Sequence, residues 1–236
     1  MIETMTPVNG LLARDSLSQE QRDEMYALLA SHFEGVTRAQ FEHDLAEKNW
    51  VVEIRRDERL LGFSTLLVTE AQIDGRWCTA IYSGDTIVAP EAWGSPALAR
   101  TWIAAVNHLR AECPSRPCYW LLLTSGFRTY RFLSVFWREY FPRPAVATPA
   151  PVQHVLDHLA AMRYGPSFHA ADGIVRFPRP QKLRGSLSVV PEGRASNPDI
   201  AFFLTRNPRH AHGDELVCLA EISERNLTPA GRRMIA

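Results

Sequence analysis

Apolar positions recur at helical spacing in the first part of the chain. Met25, Leu28 and Leu29 form one face over residues 19–32, and Ser18 followed by Gln21 has the form of a capping box. Thr37 and Gln40 repeat that signal before Phe41 and Leu45, which lie four apart and predict a second short helix. From Trp50 the period shortens. Residues 50–55 and 60–71 are apolar and β-rich, separated by the charged turn Asp57-Glu58-Arg59. Asp74-Gly75 is a hairpin signal, and 77–88 follows as a third antiparallel strand.

Residues 90–96 break the pattern, with Pro96 suited to the first position of a helix. Leu98, Trp102, Ile103 and Val106 give that helix its buried stripe, up to about Arg110. Residues 119–124 form a continuous apolar run, suited to a strand buried on both faces and, across the helix, to parallel pairing. Ser125-Gly126 turns into a helix predicted over 129–141. Pro142, Pro144, Pro149 and Pro151 mark a stiff connector before a helix over 152–163. Residues 178–199 read as a long loop, and 200–205 and 215–222 as strands joined through 207–213. No repeat period is visible.

The chain has 236 residues, 46% of them hydrophobic, and 26 basic against 26 acidic side chains. That excludes disorder for the bulk of the chain and argues against a dedicated nucleic-acid binder. No segment approaches the ~20 apolar residues of a bilayer span. Glu3 and Asp15 stand where a signal peptide would be basic and then apolar, so the expected location is cytoplasmic. Cys78, Cys113, Cys118 and Cys218 are scattered, which indicates neither a disulfide framework nor a zinc clasp.

The order αα, βββ, α, β, α resembles the GCN5-related N-acetyltransferase superfamily over residues 18–141. The local match is Val88-Ala89-Pro90-Glu91 leading through Gly94 into a helix. The resemblance implies an α/β, acetyltransferase-like fold: a mixed, mostly antiparallel sheet flanked by helices, with an extended C-terminal portion. It implies one domain over 1–236, in which 142–236 elaborate the core and complete the sheet. It also implies a loop that cradles the donor's pyrophosphate, with Val88, Gly94, Ser95 and Ala97 as cofactor-binding residues. A helix N-terminus there presents unpaired amides to an anion. The family loop reads Gln or Arg, two residues, Gly, one residue, then Gly or Ala. Here Glu91, Gly94 and Pro96 fill those three positions, and only Gly94 fits. The long aromatic helix and the extended tail resemble more narrowly the N-acyl amino acid synthase and homoserine-lactone synthase branch, whose donor is acyl-carrier protein.

Candidate chemistry gathers around Tyr82-Ser83-Gly84-Asp85-Thr86. Alternation puts Tyr82, Gly84 and Thr86 on one face and Ser83 and Asp85 on the other. Gly84 within a strand marks a bulge or a close backbone approach. The resemblance places freed amides there, beside the acyl carbonyl, with Tyr82 and Ser83 toward the substrate. Asp85 is the general-base candidate, because burial raises a carboxyl's pKa; a buried, backbone-bonded Asp is the competing reading. Tyr130 matches the position of the family tyrosine that protonates the leaving thiolate, against a plain packing role. Thr124 and Ser125 end the buried strand and are placed to touch the donor.

Residues 127–141 hold seven aromatics in fifteen positions, with Phe132, Phe136 and Tyr140 on one helical face. They form core first, and an acyl-chain wall second, with Phe132 and Phe136 toward the substrate. Arg128, Arg131, Arg138 and Arg143 suit phosphate, an acidic carrier protein, or simply solvent. His210, His212 and the His154/His158 pair lack a third ligand, so no metal is expected.

The resulting expectation is acyl transfer from a thioester to a small-molecule amine, with acyl-CoA or acyl-carrier protein as co-substrate and no permanently bound cofactor. Two rivals remain. One is a non-catalytic protein of the same fold that binds a lipid or a protein partner, and the other is a cysteine hydrolase.

Overall fold

The computed structural model describes residues 8–235, and Glu3 lies outside them. In chain order the elements are β1 (Leu11–Ala13), α1 (Gln19–His32), β2 (Phe33–Glu34), α2 (Arg38–Ala46), β3 (Trp50–Arg56), β4 (Arg59–Ile73) and β5 (Arg76–Val88). There follow α3 (Ala97–Ala111), β6 (Cys118–Thr124), α4 (Phe127–Phe136), α5 (Ala150–Tyr164), β7 (Phe168–His169) and β8 (Ile174–Val175). The chain continues through β9 (Lys182–Leu183), α6 (Pro198–Arg206), β10 (Glu215–Glu221) and α7 (Pro229–Ile235).

Local chemistry sets the first half. The Gln21 amide donates to Ser18 Oγ at 3.2 Å and the Ser18 amide to Gln21 Oε1 at 2.9 Å, closing the capping box that starts α1. Both tight turns use left-handed backbone: Asp57 and Glu58 lie at φ 49° and 66°, Asp74 and Gly75 at 49° and 77°. Turns of that hand match the twist of the strands they join.

The main sheet runs β1-β3-β4-β5-β6-β10-β8-β7. Among the described residues only β5 and β6 pair in parallel, as the intervening α3 allows; the other pairings of this sheet are antiparallel. The C-terminal portion thus adds β10, β8 and β7 to the sheet begun by the N-terminal half. Helices α1 and α2 pack on one face through Met25, Leu29, Phe41 and Leu45 against Val51, Phe63 and Ile87, and α5 covers that face further along. On the opposite face α3 buries Trp102, Ile103, Val106 and Leu109 beside Trp120 and α4. Each such side chain contributes about 1.5–3 kcal/mol when fully buried.

Two expectations are corrected. Residues 200–205 form part of helix α6, not a strand: Asn197 Oδ1 accepts from the amides of Asp199 and Ile200, Pro198 opens the helix, and Ile200 and Phe203 are buried one turn apart. The aromatic helix stops at Phe136 rather than 141. Beyond it Trp137 bridges to Leu227 and Phe141 to Leu219, so the last aromatics run extended along the sheet's flank. Tyr140 therefore leaves the face shared by Phe132 and Phe136, and its hydroxyl donates to Asp199 at 3.2 Å.

Candidate active site

The parallel ladder between β5 and β6 ends at Ser83↔Leu122. Beyond it β5 stays with β4 as far as Val88, while β6 stays with β10 as far as Thr124, and the two strands part. The parting starts at a bulge. Ser64 pairs with Thr86 and Leu66 with Ser83, so Gly84 and Asp85 together face Thr65 alone. A bulge leaves its extra residue outside the ladder and turns the strand. Only a residue without Cβ fits at Gly84: a Cβ there would stand 2.5 Å from Thr65 Oγ1 and 2.9 Å from Lys48 Cε.

A cavity of about 1340 Å³ occupies the gap and reaches both faces of the sheet. Toward α3 and α4 it is aromatic: Trp102, Trp120, Phe132 and Phe136 line it, with Trp102–Trp120 ring centroids 4.3 Å apart and Phe132–Phe136 4.7 Å apart. Toward α2 and α5 it is polar, lined by Lys48, Tyr82, Asp85, Arg163, Tyr164 and Glu215. Residues 177–194, most of them within the loop expected over 178–199, supply a roof through Phe177, Arg179, Leu183, Leu187 and Arg194. The roof is clipped down by Phe33↔Leu183 pairing between β2 and β9 and by Arg184 Nε donating to the Ala30 carbonyl at 3.0 Å.

The polar wall is electrostatically unusual. Burial pushes the Asp85 carboxyl up to about 6, and the charge of Lys48 pulls it partly back. Burial, reinforced by the charge of Asp85, pushes Glu215 up to about 8. Lys48 is 5% exposed, and burial holds its pKa below the usual lysine range, opposed by Asp85. Its ammonium donates to the Asp44 carbonyl at 2.9 Å and lies 5.4 Å from the centre of the Tyr82 ring. Burial, with the nearby Glu215 charge, raises Tyr82 above the ordinary tyrosine value, and burial raises Tyr164 as well. Arg163 pairs with Glu47 and sits 5.2 Å from the Tyr82 ring centre.

Asp85, Tyr82, Ser83, Val88, Gly94, Ser95, Thr124, Ser125, Phe132 and Phe136 all line this one cavity. Two expected residues do not. Tyr130 is fully buried on the core side of α4, donates its hydroxyl to the Pro142 carbonyl at 2.9 Å, and packs on Tyr140 and Phe203. Helix α4 turns that side of itself to the core and presents Arg128, Arg131, Phe132 and Phe136 to the cavity instead. Ala97 faces a separate small pocket and donates its amide to Ser95 Oγ at 3.2 Å. The face assignment around the bulge also changes. Ser83 Oγ accepts from the Trp120 indole at 2.8 Å on the α3 side, whereas Asp85 turns to the side of Tyr82 and Lys48, because the extra residue resets the alternation.

The loop before α3 differs from a free amide cradle. Trp93 donates to the Pro90 carbonyl and Ser95 to that of Ala92, Pro96 has no N–H, and the Trp93 indole donates to the Val88 carbonyl at 2.8 Å. Glu91 points away and pairs with Arg59 at 2.6 Å. Cations gather instead at this mouth: Arg128, Arg131, Arg179 and Arg194 line it, and none of them forms an ion pair among the described residues. Arg128 lies 5.1 Å from the Trp93 ring centre; burial, then the charge of Arg194, holds its pKa below the usual arginine value.

None of the four cysteines lines the cavity, and burial pushes Cys118 up to about 12, the opposite of a reactive thiolate. No group of three or more potential metal ligands occurs among the described residues, and no helix there is long and apolar enough to cross a membrane.

Glu215, Lys48 and the roof arginines were not singled out from sequence. Glu215 opens a strand that sequence does reveal, but nothing local marks its carboxyl as facing Asp85 across the gap.

No protein-family model matches the chain, and no curated protein matches it. Similarity to solved structures is found. A conserved protein of unknown function from Enterococcus faecalis V583, described as "Probable N-Acyltransferase", is 15% identical over 55% of this chain and 32% of its own, with a TM-score of 0.42. A Trypanosoma brucei acetyltransferase is 14% identical over 58% of this chain and 98% of its own, with a TM-score of 0.40. A GNAT family N-acetyltransferase from Escherichia coli, solved with CoA, is 16% identical over 52% and 66%, with a TM-score of 0.38. The chain spans about a third of the length of the Enterococcus protein. Likenesses this distant leave the substrate to be read from the side chains themselves.

Proposed function

We propose that this chain is an acyltransferase that moves an acyl group from a thioester, acyl-CoA or an acyl-carrier protein, to a small-molecule amine. The observation that carries the reading is the two-sided cavity through the strand gap. A thioester bound along the splayed end of β5 has its acyl chain toward Phe132, Phe136, Trp102 and Trp120, and its carbonyl beside the bulge at Gly84. Amides freed by the bulge stabilise the charge that develops on that oxygen. Asp85 takes the proton of the attacking amine, a task suited to a carboxylate that titrates near 6. Arg128, Arg131, Arg179 and Arg194 hold the donor's phosphate, where the loop before α3 offers few amides because those of Trp93 and Ser95 bond within it and Pro96 has none.

The test is a thermal-shift titration with CoA, acetyl-CoA, a long-chain acyl-CoA and acyl-carrier protein, followed by turnover with a panel of amines. A donor at about a hundred times its dissociation constant adds roughly 2.7 kcal/mol of stability. The expected result is a larger shift with the long-chain thioester than with CoA, and loss of turnover in Asp85→Asn with the shift retained. The occupied loop amides favour a second reading, a binding protein without catalysis. A long-chain lipid that stabilises the chain, with no turnover of any thioester, would establish that reading.

A further inference from the structure

The displacement of Tyr130 leaves the thiolate leaving group of the proposed reaction without its expected proton donor. We infer that Glu215 fills that place, delivering its proton to the departing sulfur. The inference rests on the acyltransferase reading and adds a residue to it.

The geometry begins with the backbone. Leu216 pairs with Thr124 and Glu215 with Val175, which fixes Glu215 one residue beyond the end of β6, at the lip of the gap. Its neighbour Asp214 is anchored on both sides: its carboxylate accepts from Arg176 Nε at 3.0 Å and its carbonyl from Asn207 Nδ2 at 2.8 Å. Along β10, Val217 and Leu219 face α5, and alternation sends the Glu215 side chain to the same face, into the cavity. Its carboxyl makes no hydrogen bond to any described residue, so it is free to donate to a ligand.

The groups around it complete the case. The charge of Asp85 on β5 acts on it, its own charge acts on Tyr82 of β5 and Tyr164 of α5, and Arg163 and Lys48 line the same cavity. Arg163 is already paired with Glu47, and Lys48 stands beside the bulge. Two carboxyls in one cavity, held near 6 and near 8, divide into a base and an acid at neutral pH. Asp85 is then ionised and Glu215 protonated.

The step balances within the chain. As the amine nitrogen bonds to the carbonyl carbon, its proton passes to Asp85. The tetrahedral intermediate collapses, the C–S bond breaks, its electron pair goes to sulfur, and the Glu215 proton follows to give the free thiol. The proton on Asp85 then returns to Glu215, which shares the cavity and holds a proton more tightly, and the net product is amide plus thiol.

The test compares two donors bearing one acyl group, an alkyl thioester of pantetheine and an aryl thioester whose thiolate departs without protonation. Glu215→Gln should slow turnover of the alkyl thioester by about 10²-fold or more and that of the aryl thioester by only a few-fold. Asp85→Asn should slow both. For the alkyl donor, the variant should also lose the fall in kcat/KM above about pH 8 and keep the fall below about pH 6. Equal slowing of both donors, or no slowing of either, would overturn the role of Glu215 while leaving the acyltransferase standing. If the wild-type chain turned over neither donor, the acyltransferase reading itself would fall, and this inference with it.

Discussion

Glu215 keeps its proton in the folded chain up to about pH 8, although a free glutamate gives it up at 4.5. Below 4.5 the group is protonated folded and unfolded, and its stabilising contribution is fully present. Above that the unfolded chain releases the proton first, so stability is lost as pH rises through about 8. Asp85 behaves likewise over the window from 3.8 to about 6. Glu215→Gln keeps the shape and removes the ionisation, so the variant should melt above the wild type, by on the order of 5 °C at pH 8.5. The difference should shrink toward zero at pH 5. Melting curves at several pH values check it; a constant difference would mean that the carboxyl is not held protonated. Of the residues named from sequence, Tyr82, Ser83, Phe132 and Phe136 reach the cavity by strand and helix periodicity, whereas Asp85 reaches the side of Tyr82 because the bulge breaks that periodicity. Tyr130 does not, because the rotation of α4 about its axis is set by what Tyr140 and Phe203 pack against.

At the scale of elements, the bulge in β5 is the feature that separates the strands. It depends on one missing methyl group. Gly84→Ala places a Cβ against Thr65 Oγ1, a buried hydroxyl without a hydrogen-bond partner among the described residues. Such overpacking costs about 1–3 kcal/mol. Denaturant unfolding should show that loss, and the pair Gly84→Ala with Thr65→Ala should recover part of it, since Lys48 Cε is the end of a flexible chain and can yield. The capping box of α1, both tight turns and the parallel pairing of β6 were legible because each is written in residues close together in sequence. The helix α6 and the early end of α4 were not. Ile-Ala-Phe-Phe-Leu fits a strand as well as a helix, and the pull of Leu219 and Leu227 on residues 137–141 comes from far along the chain.

For the whole molecule, the roof formed by 177–194 decides how closed the cavity is. Among the described residues it is held by the short β2–β9 pairing, Arg184 on the Ala30 and His32 carbonyls, Arg128 Nη1 donating to the Leu187 carbonyl at 2.9 Å, and the packing of Phe177 on Tyr164. A segment held by short pairings at the surface opens at lower free energy than the core strands beneath it. Saturation with a long-chain thioester should therefore slow amide hydrogen exchange across 177–194 by at least about tenfold and leave α1 unchanged. Unchanged exchange in the roof would place the donor outside the cavity.

The sequence by itself determined the order of elements through β6, the capping box and tight turns within it, and the glycine that forces the bulge. These are local matters of hydrogen-bonding groups, side-chain branching and allowed backbone angles. Only the tertiary structure decided which side of α4 faces the cavity, that Asp85 and Glu215 share it, that Glu91 is neutralised by Arg59, and that the tail becomes a roof. Those outcomes depend on desolvation and on contacts between residues distant in sequence, and both exist only once the sheet has closed around its core.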